Sequence, residues 1–507
     1  MATAPTPAFV LAGTHSGCGK TTLAAGLLRA FRNQGLAVAP FKCGPDYLDP
    51  QLHRVAAGRE SWNLDGWFLE DGPLRDAFRQ GAAGAPGAGC AGLGLVEGVM
   101  GLFDGADPVS FQGSTADLAR RLGLPVVLVV DGSGLGGSVA ATVLGHQTLW
   151  PDLELAGVIL NRLGGERHFR LQAAAIRAHT RVPVLGWMPA SRTWRLPERH
   201  LGIYRPHELP DLEAALDTLA AELAATVDLD ALRALARVPG AGAGVAADKQ
   251  ASGAGVAADK QASGDAGVAT DQQAVCEAGD QADDTLVRSL AAVDVPVALA
   301  RDEAFCFIYA DTLARLERLG VRWVPFSPLR EGVPEGVAGI YLPGGYPELH
   351  ARELAANGAF LEGLRRAGRR DLPLFAECGG YMVLAEALVD AEGRSHAMAG
   401  LIPGRARMTG RLQAFGYKRL RALGDNLLCR AGAEGRAHEF HHSVWEGGPA
   451  APAWRTENLR GEAAEEGFAR GNLLASYGHL HFGAQPGWAE SWVMRLRYHG
   501  SLRKEEP

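Results

Sequence analysis

The first segment whose residues could do chemistry is a glycine-rich loop between an apolar run and a helical stretch at 23–31. Its glycines let backbone N–H groups close around phosphate oxygens, and the helix N-terminus adds its dipole. A lysine can then reach the outer phosphates, and the hydroxyl after it can ligate Mg²⁺. Thr14 stands where the GxxxxGK[ST] spacing expects the first glycine, which lies one place earlier. The sequence predicts a nucleotide-binding loop formed by Gly13, Gly17, Gly19, Lys20, Thr21 and Thr22.

Acidic residues end two further predicted strands, in the segments KCGPDYLDP at 42–50 and EGVMGLFDG at 97–105. Asp46, Asp49 and Glu97 offer carboxylate oxygens, the hard ligands that Mg²⁺ prefers. The alternative is that these acids are solvated turn formers, as is common at strand ends. Asn161 follows the apolar run at 157–160 and either contacts an adenine edge or forms a simple turn.

A cysteine nucleophile is predicted in the second half of the chain. Cys378 lies between an apolar strand and a helical stretch in LFAECGGY, where a thiolate would be exposed above a sheet. Gly344 and Gly345 end another predicted strand, and their N–H groups could receive an oxyanion. His479 in SYGHLHF is the candidate base. The other six cysteines lack such a context and are interpreted as ordinary residues.

The segment HEFHH at 438–442 matches the zinc-protease motif HExxH, but its surroundings argue against that chemistry. The motif needs a helix to bring both histidines to one face. Glycines before it and SVWEGG after it favour a short strand and turn, on which the histidines lie too far apart.

The elements that must position these residues are short apolar runs alternating with helical stretches in both halves, as at 126–130 and 372–376. Such runs indicate buried parallel strands, whose sites lie at their carboxyl ends. The 11-residue unit AGVAADKQASG at 243–253 repeats at 254–264, and its single valine buries too little surface to order it. We therefore predict an α/β protein with two open, mostly parallel-sheet domains, 1–238 and 285–507, and a disordered Ala/Gly-rich linker at 239–284.

Composition excludes several classes. A net charge of −7 from 50 Lys+Arg and 57 Asp+Glu does not suit a protein that coats nucleic acid. No apolar run reaches the ~18 residues of a transmembrane helix, and no basic segment precedes the first apolar run. Seven cysteines without a CxxC pair fit a reducing compartment. The expectation is a cytoplasmic protein that binds neither membrane nor nucleic acid, with a homodimer left open.

Eight segments resemble, in the same order, those of cobyrinate a,c-diamide synthases: GTHSGCGKTT, KCGPDYLDP, EGVMGLFDG, LPERHLG, LPGGYPE, AECGGYM, HEFHHS and SYGHLHF. The first half is similar to dethiobiotin synthetase, which shares the shifted phosphate loop. The second half resembles class I glutamine amidotransferases of the cobyrinate and cobyrate synthase type. The resemblance covers both halves and leaves out the repeat segment.

The resemblance implies a two-site ligase with ATP, glutamine and a tetrapyrrole carboxylate as small-molecule partners and Mg²⁺ as cofactor. Cys378 would release ammonia from glutamine with His479 as base, while the third triad member is left open because Leu480-His481 replaces the usual Pro-Glu. In the first half, MgATP would phosphorylate a corrin carboxylate, and ammonia would displace the phosphate. The reaction would then repeat at the second carboxylate.

The dethiobiotin-synthetase resemblance implies that Thr21, Asp46 and Glu97 hold the magnesium ion. The residues expected to face the corrin or acyl-phosphate are Asp49, Arg199 and His200. Two alternatives remain at this point. One keeps the chemistry but uses hydrogenobyrinate or nickel-sirohydrochlorin, and the other is a P-loop ATPase switch with an inactive amidotransferase-like domain.

Overall fold

The computed structural model describes residues 5–84, 89–107, 109–190, 198–199, 202–203, 209, 211–240, 294–448 and 451–502. The repeat segment, and with it nearly all of the predicted linker, lies outside the described residues. Within them, no helix is long and apolar enough to cross a membrane.

A seven-stranded parallel sheet organises the first half. Its strands are β1 Ala8–Gly13, β2 Val38–Cys43, β3 Trp62–Leu64, β4 Leu93–Glu97, β5 Val126–Asp131, β6 Leu155–Leu163 and β7 Val184–Pro189. They lie in the order β3-β2-β4-β1-β5-β6-β7, and a separate two-stranded hairpin pairs β8 Glu198–Arg199 with β9 Gly202–Ile203. Because β2, β4 and β1 are neighbours, their carboxyl ends bring Lys42, Glu97 and the loop after Gly13 to one edge.

Helices cover both faces of this sheet, which explains why its strands are almost continuously apolar. They are α1 Lys20–Asn33, α2 Asp49–Ala57, α3 Asp71–Ala83, α4 Thr115–Leu122, α5 Val139–Leu149, α6 Glu166–His179, α7 Leu212–Thr226 and α8 Leu229–Leu235. Side chains of β1 alternate between the two cores: Val10 packs on one side, and Phe9 and Leu11 pack on the other. Gly26 of α1 lets α7 approach closely, since an added Cβ would lie 2.4 Å from the Leu223 side chain.

The second half contains more sheet than helix. Its first strands are β10 Val295–Ala300, β11 Phe305–Phe307, β12 Val321–Phe326, β13 Gly339–Leu342, β14 Gly344–Gly345, β15 Leu374–Glu377, β16 Ala385–Val389, β17 Ser395–Ala397 and β18 Ile402–Met408. The remaining strands are β19 Ala414–Ala422, β20 Glu434–His441, β21 Ser443–Glu446, β22 Trp454–Asn458, β23 Ala463–Glu466, β24 Phe468–Arg470, β25 Leu473–Ser476 and β26 His479–Leu480. The helices are Ala310–Arg318, Ala351–Ala356, Gly358–Arg369, Gly379–Leu384 and Pro486–Leu502, with a 3₁₀ helix at Pro347–His350.

The central sheet of this half has the order β12-β10-β13-β15-β25-β24 and is parallel except at β24. The carboxyl ends of β13 and β15, which the sequence predicts as strands, therefore meet that of β25, which it does not predict, at one edge. The α/β fold class with two mostly parallel sheets is confirmed. Two further sheets, β17-β16-β18-β21 and β23-β22-β19-β20-β26, lie beside the central one and consist largely of antiparallel pairs.

The two halves meet through their functional edges. Trp67 stacks on Tyr417 with ring centroids 4.4 Å apart, and the Tyr417 hydroxyl donates to Asp65 at 2.8 Å. The Arg436 guanidinium donates to the Trp67 carbonyl at 2.5 Å. Phe68 stacks on His481 at 5.5 Å. Aromatic packing with satisfied polar tips thus joins the segment after β3, at the carboxyl edge of the first sheet, to the sheet that contains β19, β20 and β26.

Candidate active sites

The phosphate loop joins β1 to α1 and needs glycine at three of the predicted positions, among them Gly17 with φ at 78°. A Cβ at Gly13 would lie 2.4 Å from the Cys18 sulfur and 2.9 Å from the Lys20 side chain, so only glycine fits there. Gly19 caps α1 in the left-handed region, with φ at 98°. The Lys20 ammonium donates to the carbonyls of His15 at 3.1 Å and Met100 at 2.5 Å, and burial lowers its pKa. The Lys20 side chain thus packs against the loop in which it is predicted to bind phosphate.

A compact cluster of charged groups lies beside this loop. The Thr21 hydroxyl donates to Glu97 at 2.6 Å and to Asp49 at 3.3 Å. Lys42 contacts the same two carboxylates, at 3.0 Å from Glu97 and 2.6 Å from Asp49. The oxygen-bearing side chains of Thr21, Asp49 and Glu97 therefore surround the Lys42 ammonium group. The same three side chains form a donor set that a magnesium ion would take.

The charges within this cluster are mutually dependent. Burial lowers the pKa of Lys42, but the Asp49 and Glu97 carboxylates outweigh it, so this pKa is raised overall. Burial raises the pKa of Glu97, yet Lys42 and His53 hold it well below its ordinary range. Burial and the Asp46 carboxylate raise the pKa of Asp49 to about 8. The crowded carboxylates of Asp46 and Asp49 repel each other, so binding of an added cation is favourable here.

His53 is a member of the cluster that sequence analysis did not predict. It is fully buried, its Nε2 lies 2.5 Å from Glu97 and its Nδ1 lies 3.1 Å from Ser61. This contact fixes the orientation of the Glu97 carboxylate. The residue lies inside α2 without a recognisable motif, so only the packing of α2 beside β4 reveals its role.

The other predicted residues of the first half occupy distinct places. Asp46 accepts the backbone N–H groups of Leu48 at 2.8 Å and Asp49 at 3.2 Å, so it shapes the turn before α2. The Asn161 amide donates to the Cys18 carbonyl at 2.9 Å, which braces the phosphate loop. Predicted residues without a side-chain contact to this cluster are Gly17, in the loop itself, and Thr22, half-buried in the first turn of α1. Arg199 belongs to the β8–β9 hairpin, and His200 lies outside the described residues.

Cys378 stands at a sharp elbow between β15 and the helix Gly379–Leu384. Its φ of 48° lies in the left-handed region, a conformation that costs a non-glycine residue on the order of 1–3 kcal/mol. The glycines that follow make the elbow possible, since a Cβ at Gly380 would lie 2.1 Å from the Leu342 carbonyl oxygen. The thiol points toward the Phe440 carbonyl, 3.9 Å away, and is buried. Burial raises the pKa of this thiol.

Gly344 and Gly345 lie directly against Cys378 and His479, the predicted nucleophile and base. A Cβ on Gly344 would lie 2.3 Å from the His479 ring and 3.3 Å from the Cys378 Cβ, so both side chains converge on this glycine. The Gly345 nitrogen lies 3.0 Å from the position of an added Cβ at Gly379. The backbone of Gly344 and Gly345, which form the short strand β14 paired with β11, therefore lies against the elbow, where an oxyanion would form.

His479 lies in the short strand β26, paired with His438 of β20. Among the described residues, neither of its ring nitrogens has a hydrogen-bond partner, and it is 1% exposed. Burial and the neighbouring His438 and His441 lower its pKa to about 3. Cysteine and histidine are thus both neutral here, and the proton would pass from sulfur to nitrogen during attack.

Glu377 is a second residue that sequence analysis did not single out. Its carboxylate accepts the Leu480 N–H at 2.7 Å and the Tyr341 hydroxyl at 2.6 Å. It thereby ties the strand before the cysteine to the strand that carries the histidine. Burial raises its pKa to about 7. In the sequence, its position directly before Cys378 was the one feature that could have indicated this role.

Residues 438–441 of the HEFHH segment lie in β20 and His442 lies in the bend after it, as the flanking residues predict, and none of them is in a helix. His441 pairs with Glu439 at 3.1 Å and stacks on Tyr477. Glu439 also pairs with Lys418. In the part of the chain that the structure describes, no group of three or more histidine, cysteine, aspartate or glutamate side chains could hold a metal ion.

Comparisons with known proteins agree with this division into two centres. Residues 9–203 match the CobQ/CobB/MinD/ParA nucleotide binding domain, and residues 296–487 match the CobB/CobQ-like glutamine amidotransferase domain. A cobyrinate a,c-diamide synthase of Salmonella typhimurium is 40% identical over 97% of this chain and 98% of its own length.

Two further cobyrinate a,c-diamide synthases match almost as widely. The protein of Gloeobacter violaceus is 40% identical over 96% of each chain. The protein of Priestia megaterium is 34% identical over 96% of this chain and 97% of its own. This chain belongs to the cobyrinate a,c-diamide synthase family of glutamine-dependent amidating ligases.

Proposed function

We propose that the protein converts the a and c side-chain carboxylates of cobyrinate to amides in cobalamin biosynthesis, using ATP and glutamine. The cluster of Thr21, Asp49, Glu97 and Lys42 beside the phosphate loop is the observation that carries this proposal. It joins a phosphate-binding loop to groups that can hold a metal and a carboxylate substrate. Residues 1–238 are assigned to this synthetase reaction and residues 285–507 to glutamine hydrolysis.

In the synthetase half, one oxygen of the substrate carboxylate attacks the γ-phosphorus of ATP and ADP leaves. Ammonia then attacks the acyl carbon, and phosphate departs with the former carboxylate oxygen. Lys20 is placed to neutralise charge on the transferred phosphoryl group, and the backbone of the loop holds the remaining phosphates. Asp49, Arg199 and His200 are assigned to the substrate and its acyl-phosphate.

Mg²⁺ fits the donor set, because Thr21, Asp49 and Glu97 present hard oxygen atoms in one place. We assign Thr21, Asp46 and Glu97 as its protein ligands. The Asp46 side chain accepts the Leu48 and Asp49 N–H groups in the turn beside this site and would have to rotate toward the ion, whereas Asp49 already contacts Thr21. When bound, the ion supplies charge neutralisation on the phosphate oxygens. His53 holds Glu97 in position for this role, and Lys42 balances the carboxylates when no ion is present.

In the glutaminase half, the Cys378 sulfur attacks the side-chain carbonyl of glutamine while His479 takes the thiol proton. The N–H groups at Gly344 and Gly345 receive the oxyanion. His479 then protonates the leaving ammonia, and water clears the glutamyl thioester. Glu377 holds the strand of His479 through the backbone N–H of Leu480 and does not hydrogen-bond the imidazole.

Two alternatives are distinguished by experiment. The same residues would serve hydrogenobyrinate or nickel-sirohydrochlorin, since the surface that selects the macrocycle carries no motif. A P-loop switch with an inactive amidotransferase-like domain would hydrolyse ATP without forming amides. Family membership favours the ligase.

The test supplies each macrocycle with MgATP and glutamine and follows the mass change per amide. Cobyrinate is expected to gain two amides, and a carboxylate labelled with ¹⁸O should deliver one label to phosphate per amide formed. Preference for another macrocycle would change the substrate assignment. Amide formation without label transfer would contradict the acyl-phosphate, and ATP hydrolysis without amides would favour the switch.

A further inference from the structure

Tyr47 belongs to the synthetase half, yet it lies in the glutaminase half's aromatic core. It sits in the turn 44–48 between β2 and α2, with Asp46 on one side and Asp49 two residues beyond. Its ring stacks on Phe307 with centroids 5.1 Å apart. Its hydroxyl donates to the Tyr309 hydroxyl at 2.7 Å, and only 8% of the residue is exposed. The Tyr47 side chain therefore packs against residues of the glutaminase half.

One of the residues that Tyr47 contacts is His479, the proposed base of glutamine hydrolysis. The rings of Tyr47 and His479 lie 4.9 Å apart, closer than the 6.3 Å between Phe307 and His479. Within the described chain, neither nitrogen of His479 has a hydrogen-bond partner. Packing therefore sets the orientation of this imidazole, and Tyr47 is the nearest aromatic ring that packs on it.

The turn that carries Tyr47 is anchored on both sides of the interface. Asn63 donates to the backbone carbonyls of Gly44 at 2.9 Å and Asp46 at 2.7 Å. Gln51 donates to the Tyr47 carbonyl at 2.9 Å and to the Cys306 carbonyl of the other half at 3.2 Å. A shift of this turn would therefore be transmitted to Tyr47.

The same turn reaches the nucleotide centre. Asp46 accepts the N–H groups that begin α2, and Asp49 contacts Thr21 and Lys42. A ligand that rearranges Asp49 thus acts on the segment that ends in Tyr47. One short stretch of chain connects the proposed magnesium and substrate groups to the imidazole of the other centre.

We propose that Tyr47 is a positioning residue for His479, so that the glutaminase centre is completed by a side chain of the synthetase half. This inference rests on the proposed function of Cys378 and His479. Its ring holds the imidazole toward the thiol in place of a triad acid, and the Tyr309 contact fixes the ring.

The test compares Tyr47→Ala and Tyr47→Phe in the full-length enzyme. We measure kcat and KM for glutamine hydrolysis, with and without ATP and tetrapyrrole, and synthesis supported by ammonium chloride. Tyr47→Ala should lower kcat for glutamine about tenfold or more, since misplacing a catalytic group by an ångström costs up to about 100-fold. Synthesis from ammonium should stay within about threefold, and Tyr47→Phe, which keeps the ring, should retain most glutaminase activity.

A matched control removes an interface contact that does not touch His479. Arg436→Ala loses the bond to the Trp67 carbonyl and the ion pair with Glu70. It should leave the ratio of glutamine-supported to ammonium-supported synthesis unchanged. If it lowers that ratio as much as Tyr47→Ala does, loosening of the interface explains the effect and the proposal is overturned. Equal loss with both nitrogen sources in Tyr47→Ala would also overturn it.

Two further variants keep the outcome decisive. Should Tyr47→Ala not fold, Tyr47→Leu fills the interface without a ring and carries the same expectation. Unchanged glutaminase kinetics in Tyr47→Leu would reject the positioning role. Cys378→Ala tests the underlying assignment separately: if it still hydrolyses glutamine, the proposed function fails whatever Tyr47 does.

Discussion

At the residue scale, the two neutral groups Cys378 and His479 make the pH dependence of glutamine hydrolysis informative. A histidine with a pKa of about 3 is already unprotonated throughout the range in which enzymes are assayed, so it contributes no acid limb. Glu377 has a pKa of about 7 and titrates within that range. Its ionised form is the stronger acceptor for Leu480 and Tyr341.

We therefore predict that kcat/KM for glutamine rises with pH through a midpoint near the pKa of Glu377, about 7. The rate rises with pH because Glu377 is protonated below this midpoint. The protonated carboxyl accepts the Leu480 N–H of β26 less strongly and holds the strand less firmly. Glu377→Gln keeps an acceptor oxygen but cannot titrate, so the limb should vanish in this variant. Initial rates of glutamate release across the pH range measure it. A limb that persists in Glu377→Gln belongs to another group, and His479 is then the first candidate.

Asp46 offers a substitution that separates charge from turn formation. Asp46→Asn retains a side-chain oxygen for the N–H groups of Leu48 and Asp49 but loses the negative charge. We expect the Mg²⁺ concentration for half-maximal synthesis to rise several-fold, because the ion loses one carboxylate ligand. Titration of Mg²⁺ in the ammonium-supported reaction measures this. An unchanged titration would make Asp46 a turn-forming residue only.

Asp49→Asn should act on the tetrapyrrole. Its carboxylate contacts Lys42 and Thr21 at the edge of the cluster, where the substrate carboxylate is assigned. We expect monoamide to accumulate, because the second carboxylate is presented poorly once this charge is lost. Separation of mono- and diamide over time measures it. If Asp49→Asn instead shows only a raised Mg²⁺ requirement and forms diamide directly, Asp49 is a metal ligand.

Sequence patterns predict residues that carry their own motif and miss those that act through packing. The shifted phosphate loop and the elbow cysteine are recognisable because glycine spacing and a strand-to-helix switch are local features. His53 and Tyr47 gain their roles only from elements that are distant in sequence, 44 residues away for Glu97 and 262 for the Tyr309 hydroxyl. Asn161 shows the same limit, since its contact with the Cys18 carbonyl bridges 143 residues.

At the element scale, both parallel sheets are predictable because strands buried on two faces consist of continuous apolar runs. The order of neighbours β2-β4-β1 is not visible in such runs, although it determines which strand ends meet. The antiparallel sheets of the second half were not predicted. Their strands are largely half-exposed and carry charged residues, as in β19 and β22, so they resemble solvated loops.

The repeat segment gives a prediction at the same scale. Its composition lacks the apolar residues of a core, and loop-closure entropy changes by only ~0.6 kcal/mol for each doubling of length. Deleting residues 242–280 should therefore leave glutamine-supported and ammonium-supported synthesis within a few-fold of the intact chain. The moles of glutamine hydrolysed per amide formed should also stay constant. A rise in that ratio would show that the segment positions the two halves.

At the scale of the whole molecule, the two centres face each other across an interface built from aromatic rings and buried polar contacts. Tyr417 and Asp65, Arg436 and Trp67, and Phe68 and His481 each join one half to the other. The turn that carries Tyr47 adds a contact with His479 and lies next to Asp49 of the cluster beside the phosphate loop. Under the proposed function, ammonia would therefore form close to the centre that uses it.

The most direct test of this two-centre account is amide formation by Cys378→Ala and Lys20→Ala with each nitrogen source. Cys378→Ala should make no amide from glutamine but should retain synthesis from ammonium chloride within a few-fold. Lys20→Ala should lose synthesis with both sources by on the order of 100-fold or more, because phosphoryl transfer loses its charge neutralisation, and should still hydrolyse glutamine. Loss of both activities in folded Cys378→Ala would contradict the division of labour.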